Sequence, residues 1–437
     1  MTNQYNSVID YLFSLEKFGV SFGLHKIEAI LKEFDSPQDK LKVIHVAGTN
    51  GKGSVCATIE SILIEHGYQT ALYTSPHLIK FNERIRINRE DISDNDIIKY
   101  VTKIRPIADI VNASSTVTFF DFTTALAYLY FYEKGVDYAI METGLGGRLD
   151  STNIVKSPLV SVITNVTKEH EEYLGKDIKS IAYEKAGIIK VNSIAVTSAT
   201  DSDVISLLSD VATEQNSKLF ILDKGTSINV KGQQFDYISP KYNFKNLQSS
   251  LAGFHQITNS SLAVFALEKC GIVLDEIKTV RGLKNIKWEG RLEKVLNTPL
   301  FIIDGAHNPD GAAVLRSNLT LFNYNKLILI VAVMQDKDLD AIFKEIIPPA
   351  DTIIFTKANI DRSADMALLK EKSLGYNKET FFLPNISDAI QKGIEIAGDK
   401  DMVLFTGSLY AVGEAKRYFG KLSESAFTMG NNYKFTK

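Results

Sequence analysis

Cysteine is scarce: Cys56 and Cys270 are the only two in 437 residues. Two thiols so far apart give no disulfide framework, and both read as core residues of a protein kept in a reducing compartment. Long apolar runs are missing as well. None approaches the ~20 residues that span a bilayer, and Met1 to Leu12 lacks the basic segment and apolar core of a secretion signal. A cytoplasmic protein with no membrane partner is the expectation. Nor does one charge prevail. Lys and Arg number 49 against 52 Asp and Glu, a net charge of −3, so no basic field favours a nucleic-acid partner. No Asn-Lys-x-Asp string for guanine occurs, which weakens a nucleotide-switch reading. The rest is ordinary for a globular protein, with 45% apolar and 23% charged residues. The chain is too long for one typical core, so two domains are expected.

The most informative stretch is Val43-Ile44-His45-Val46-Ala47-Gly48-Thr49-Asn50-Gly51-Lys52-Gly53-Ser54. It opens as a β-branched run that reads as a buried strand. It turns through three glycines and one lysine. Val55, Ile59, Ile62 and Leu63 then mark one face of a helix. Strand, glycine turn and helix N-terminus together form a phosphate cradle, because glycine backbone can close on oxyanions and the helix dipole favours negative charge. The strict P-loop spacing is not kept: two residues separate Gly48 from Gly51, and Gly53 precedes Ser54. An ordinary glycine-rich turn is the competing reading.

Further along, Thr70 to Ser75 reads as a second strand ended by Pro76. That leaves Ser75 on the rim where α/β sheets bind ligands, as a Mg²⁺ donor or as part of a plain Ser-Pro turn. Thr118 to Tyr132, crowded with aromatics, reads as a core helix. Tyr138 to Met141 is a third strand, delivering Glu142 to a glycine-rich loop. Leu159 to Thr164 is a fourth, leading to His170. Ile178 to Lys190 reads as a helix carrying Lys185, which the residues alone leave as a lysine paired with Glu184 or a phosphate. Residues 191–250 give short strands and polar loops without a motif. From near residue 295, Phe301–Ile303, Leu327–Val333, Thr352–Thr356 and Met402–Thr406 alternate with helical patterns. This predicts a mostly parallel Rossmann-like sheet, but without the Gly-x-Gly-x-x-Gly of a dinucleotide site. Asp304-Gly305-Ala306-His307 and Thr406-Gly407-Ser408 end two of those strands, which suggests a site shared between domains 1–294 and 295–437.

Gly48-Thr49-Asn50-Gly51-Lys52-Gly53-Ser54 resembles the nucleotide loop of folylpolyglutamate synthases, within the wider Mur ligase family. Asn82-Glu83-Arg84-Ile85, Glu142 to Asp150, Gly253-Phe254-His255-Gln256, Asp304 to Pro309 and Thr406 to Tyr410 are similar to the family's later motifs, in the same order. The Gly19 to Leu24 loop weakly resembles its pterin loop. The resemblance implies an α/β fold: a P-loop-type nucleotide-binding domain with a mainly parallel sheet, then a smaller Rossmann-like α/β domain. It implies an ATP-dependent ligase, acting as a monomer, that joins L-glutamate to a folate or to dihydropteroate through an acyl phosphate. Mg²⁺ is the implied metal, and a monovalent cation is a further candidate. On this resemblance ATP meets Thr49, Asn50, Gly51, Lys52, Gly53, Ser54, Asn259, Arg291 and Asp304. Ser75, Glu142 and His170 hold the metal, and Lys185 is carbamylated. Asp304, His307 and Ser408 position glutamate. Asp121 and Asp150 face the pterin substrate, although the family usually carries a glutamate at the first position, and a proline where Glu289 stands. Lys52, Glu142, His170, Lys185 and His307 are the implied catalytic set. Another amide ligase, acting on a cell-wall precursor, is the alternative within the superfamily.

Overall fold

The computed structural model describes residues 2–19, 23–113 and 115–429. Val20, Ser21 and Phe22 of the candidate pterin loop lie outside the described residues. The chain forms two compact units. One runs to Ser250 and includes Gln256–Lys287; the other comprises Leu251–His255 and the chain from Trp288 on.

The first unit is built on an eight-stranded sheet. Its strands are β1 (Val43–Ala47), β2 (Thr70–Tyr73), β3 (Ile85–Ile87), β4 (Glu90–Asp91), β5 (Tyr138–Glu142), β6 (Val160–Ile163), β7 (Ile194–Thr197) and β8 (Lys218–Ile221), in the order β4-β3-β2-β5-β1-β6-β7-β8. Every pairing from β2 to β8 is parallel; only β3 and β4 run antiparallel at the edge. All five residues of β1 and of β5 are buried, which is why β1, apart from His45, is apolar throughout rather than alternating. The chain passes to one side of β1 for β2 and β5 and to the other for β6 to β8. The carboxyl end of β1 therefore lies where the strand order reverses, the place where open α/β sheets bind ligands.

The aromatic helix runs Phe119–Lys134 and is a core helix as expected, with Phe122, Tyr128 and Phe131 fully buried. Thr118 caps it by accepting from Asp121 N. Three short strands, β9 (Ser227–Lys231), β10 (Gln234–Ile238) and β11 (Asn243–Gln248), make a separate antiparallel sheet. The Ser202–Glu214 helix, between β7 and β8, had no counterpart in the sequence reading.

The second unit has six strands: β12 (Glu293–Leu296), β13 (Leu300–Ile303), β14 (Leu327–Val331), β15 (Thr352–Phe355), β16 (Glu379–Phe382) and β17 (Met402–Thr406). Their order is β12-β13-β17-β14-β15-β16, parallel except for β12. Besides Leu251–His255 this unit takes up the chain from Trp288, and Glu293–Leu296 already pairs with β13. Among the described residues no helix is long and apolar enough to cross a membrane.

Candidate active site

In the first unit the loop after β1 is shaped by close approach. Gly48 has φ +148°, and a Cβ there would sit 1.8 Å from Thr164 Oγ1. Gly51 has φ +85°, and its Cβ would meet Asn259 Oδ1 at 2.6 Å. Only glycine fits either place. The loop is stapled to the chain beyond β6. Thr49 N donates to Asn165 O at 2.8 Å, and Asn50 N to Asn165 Oδ1 at 2.8 Å. Thr164 Oγ1 returns a bond to Asn50 O at 2.7 Å. The main-chain donors of Thr49 and Asn50 are thus committed within the protein. The donors suited to an anion are those of the first turn of the Lys52–Glu65 helix, at Lys52, Gly53 and Ser54, which helix geometry leaves without intrahelical partners. Gly51 provides no side-chain cap there.

Two lysines converge on this loop. Lys52 Nζ donates to Gly48 O at 3.1 Å and to Thr49 O at 3.0 Å. Lys185 Nζ, from the last turn of the Ile178–Ala186 helix, donates to the same Gly48 O at 2.9 Å. Lys185 is only 4% exposed. Burial first, and then the Lys52 charge, bring its pKa down from 10.5 to about 7, with Glu169 opposing. The helix that carries it is docked backbone to backbone. A Cβ on Gly147 would lie 2.8 Å from Glu184 O, and one on Gly187 2.4 Å from Arg148 Cα. The Gly144 to Arg148 turn therefore sets where Lys185 points.

Glu142 ends β5, is 5% exposed, and its Oε2 accepts from Ser75 N at 3.2 Å. The Ser75 backbone and the Glu142 carboxylate are thus brought together. In the residue after Glu142, Thr143 Oγ1 is buried without a hydrogen-bond partner. His170 stands further out, at the start of the short Glu171–Leu174 helix, with Nε2 3.7 Å from Glu169 Oε1. Among the described residues no three His, Cys, Asp or Glu side chains gather to hold a metal ion. A Mg²⁺ ion needs no such cage, since it takes one or two carboxylates and completes its shell with water and substrate phosphates. The buried Glu142 carboxylate, with the Ser75 backbone beside it, is an oxygen donor of the kind that fits it.

The two aspartates expected to face substrate are engaged otherwise. Asp121 is 1% exposed. Its Oδ2 accepts from Thr118 N and Oγ1 and pairs with Lys26 Nζ at 3.0 Å, while Oδ1 accepts from Ser151 Oγ at 2.7 Å. It caps a helix and neutralises a buried lysine. Asp150 Oδ2 accepts from Gly144 N at 2.9 Å and Leu145 N at 2.8 Å, and its Oδ1 from Thr152. Burial raises its pKa to about 6. It holds the glycine-rich turn in place. Asn259 donates to Gln256 Oε1 at 2.9 Å, and Gln256 Nε2 to Ser54 Oγ at 3.3 Å, so both brace the start of the Lys52 helix.

In the second unit, Asp304 at the end of β13 accepts from Leu292 N and Ala306 N, both at 2.9 Å. That ties the turn bearing Arg291 to the turn bearing His307. His307 Nδ1 donates to Gly305 O at 2.9 Å. Arg291 packs against Gly305, where a Cβ would lie 2.5 Å from its Nη1. Ser408, 2% exposed, accepts from Tyr410 N at 3.2 Å. Glu289 and Glu293 both pair with Lys416. The sequence reading missed His255, whose pKa burial lowers while Asp304 and Arg291 act on it with opposite signs. Its ring accepts from Asn318 Nδ2 at 3.3 Å.

Residues 46–267 match the Mur ligase middle domain, and residues 290–409 the Mur ligase glutamate ligase domain. Over 432 residues the chain is 34% identical to the dihydrofolate synthase/folylpolyglutamate synthase of Bacillus subtilis, covering 95% of this chain and 99% of that one. The chain belongs to the folylpolyglutamate synthase/dihydrofolate synthase branch of the Mur ligase family. Solved structures of that branch share the fold. A Mycobacterium tuberculosis folylpolyglutamate synthase complexed with ADP matches with a TM-score of 0.88 at 29% identity, over 95% of this chain and 99% of that one. A bifunctional folylpolyglutamate synthase/dihydrofolate synthase with Mn, AMPPNP and L-glutamate bound matches with a TM-score of 0.85 at 27% identity, over 94% and 98%.

Proposed function

We propose that this chain is an ATP-dependent ligase that joins L-glutamate to a folate, and also to dihydropteroate, through an acyl phosphate. The observation that carries the reading is the convergence of Lys52 and Lys185 on Gly48 O, at a glycine-capped helix N-terminus, in a chain that matches this branch over nearly its whole length. A carboxylate is a poor acyl donor because its leaving group would be an oxide. Transfer of the γ-phosphoryl group of ATP makes that leaving group a phosphate. Lys52 and the first-turn N–H groups of its helix stabilise the charge on the transferring phosphoryl oxygens, which is positioning and electrostatics rather than covalent chemistry. Mg²⁺, when bound, supplies further positive charge beside those oxygens, and Ser75, Glu142 and His170 are the residues to hold it. Lys185, held near neutrality, is a nucleophile for CO₂: the amine bonds to carbon and loses a proton, giving an anionic carbamate in place of a cation.

The amine of glutamate then attacks the acyl carbon and phosphate leaves. His307 and Ser408 are the residues to hold glutamate, and Arg291 to hold phosphate. Asp304 acts by fixing the turns that present Arg291 and His307. Asp121 and Asp150 act as scaffold, not as pterin contacts. The folate reading is favoured over a cell-wall substrate by the named relatives. Release of ADP that requires both glutamate and a folate or dihydropteroate supports the proposal. ADP release that needs neither, or that responds to a cell-wall precursor instead, overturns it.

A further inference from the structure

His45 lies in the middle of β1 and is fully buried. Its Nε2 is 2.8 Å from Thr152 Oγ1. That hydroxyl has one proton, and it goes to Asp150 Oδ1. Thr152 must then accept from His45, so the ring hydrogen sits on Nε2. Asp150 in turn accepts from Gly144 N and Leu145 N through its other oxygen. The Tyr128 hydroxyl pins the same segment by donating to Thr152 O at 2.6 Å. A continuous chain of hydrogen bonds therefore runs from the centre of β1 to the turn that follows Glu142. The arrangement has a cost. His45 Nδ1 is buried without a partner, and burial keeps the ring neutral, with a pKa near 3. An apolar residue would fill the strand without leaving that acceptor unpaired, so an imidazole here is explained by what its other nitrogen does.

We propose that His45 is a positioning residue for ligation: through Thr152 and Asp150 it fixes the Gly144–Leu145 turn, and with it the carboxylate of Glu142. This rests on the ligase reading above. Its chemistry is that of a neutral donor, since Nε2–H orients the Thr152 hydroxyl so that its proton faces Asp150. Leucine at position 45 keeps the volume and loses the donor. Valine at position 152 keeps the branched shape and breaks the relay. Serine at 152 keeps the hydroxyl.

The test measures two things on folded His45→Leu, Thr152→Val, the double variant and Thr152→Ser. One is steady-state turnover with ATP, glutamate and tetrahydrofolate. The other is backbone hydrogen exchange of Gly144 and Leu145 in the ligand-free chain. The proposal expects each disruptive single variant to lose at least tenfold in kcat and to exchange both amides faster. It expects the double variant to be no worse than the poorer single one, because a shared pathway is broken only once, and Thr152→Ser to behave as wild type. Wild-type kcat in both single variants, multiplying losses in the double, or unchanged exchange overturns it. If His45→Leu does not fold, Thr152→Val against Thr152→Ser makes the same comparison. Exchange needs no ligation, so a wild-type chain that fails to ligate defeats the ligase reading, whereas unaltered exchange in the variants defeats this one.

Discussion

Lys185 gives the prediction with the clearest magnitude. A lysine amine ordinarily titrates at 10.5, and burial with the neighbouring Lys52 charge brings this one to about 7. At pH 7 about half the molecules then hold a neutral amine, against roughly one in 3,000 for a free lysine. The sign of the stability effect follows. The folded pKa lies below the unfolded one, so between about pH 7 and 10.5 the unfolded chain binds more protons, and stability rises with pH across that window. Below pH 7 the cost of burying the charge is fully present; above 10.5 it is gone. At about 1.4 kcal/mol per unit, less the half-titration at pH 7, this lysine contributes a gain of roughly 2 kcal/mol between pH 7 and 9. Lys185→Met keeps the length and removes the titration. Urea unfolding of both proteins at the two pH values, in CO₂-free buffer, should show the wild type gaining about 2 kcal/mol more than the variant. With ¹³C-labelled bicarbonate the wild type should also show a carbamate carbon signal that the variant lacks. Parallel pH dependences in the two proteins would refute the reasoning about burial, and a wild type without the signal would remove carbamylation.

Lys52→Ala should abolish phosphoryl transfer and ligation together, with a loss of about 10²–10³-fold or more in kcat, read as ADP and product formed per enzyme; loss of one without the other counts against its role. His307→Ala should raise the KM for glutamate at saturating ATP while nucleotide binding by calorimetry is kept. An unchanged KM and turnover for glutamate would leave His307 as a turn residue. Asp121→Ala should strand the buried Lys26 charge and lower stability by about 3–5 kcal/mol, measured by urea unfolding. The folded remainder should keep its KM for the pterin substrate, whereas a selective rise in that KM would restore Asp121 as a substrate contact.

The parts of the fold that the sequence disclosed are those where burial is complete. Val43 to Ala47 and Leu327 to Val331 are buried at every position, so the second is an unbroken apolar run and the first is interrupted only by His45. β9 is largely exposed, with alternation too weak to mark a strand. β12 was lost for a different reason: it pairs antiparallel at the edge of a sheet whose other strands announce themselves by alternating with helices. Among site residues, motifs found the groups but not their partners. Thr118 and Asp121 stand at capping-box spacing, a signal that could have marked Asp121 as scaffold. Its pairing with Lys26, far away in sequence, has no signature in spacing. The approach of Lys185 to Gly48, 137 residues apart, is likewise a product of sheet order. His45 carries no signal of its own in the sequence, because its hydrogen bond is to Thr152, which no local pattern connects to it.

The central claim is the bond formed. The purified chain should be incubated with ATP, Mg²⁺ and L-glutamate, together with tetrahydrofolate in one reaction and dihydropteroate in another, and the products weighed by mass spectrometry. The account predicts a pterin product heavier by one glutamyl residue, one ADP released per bond, and no product when ATP or glutamate is left out. ADP formed at the same rate without glutamate, or both pterin substrates recovered unchanged while ATP is consumed, would contradict it.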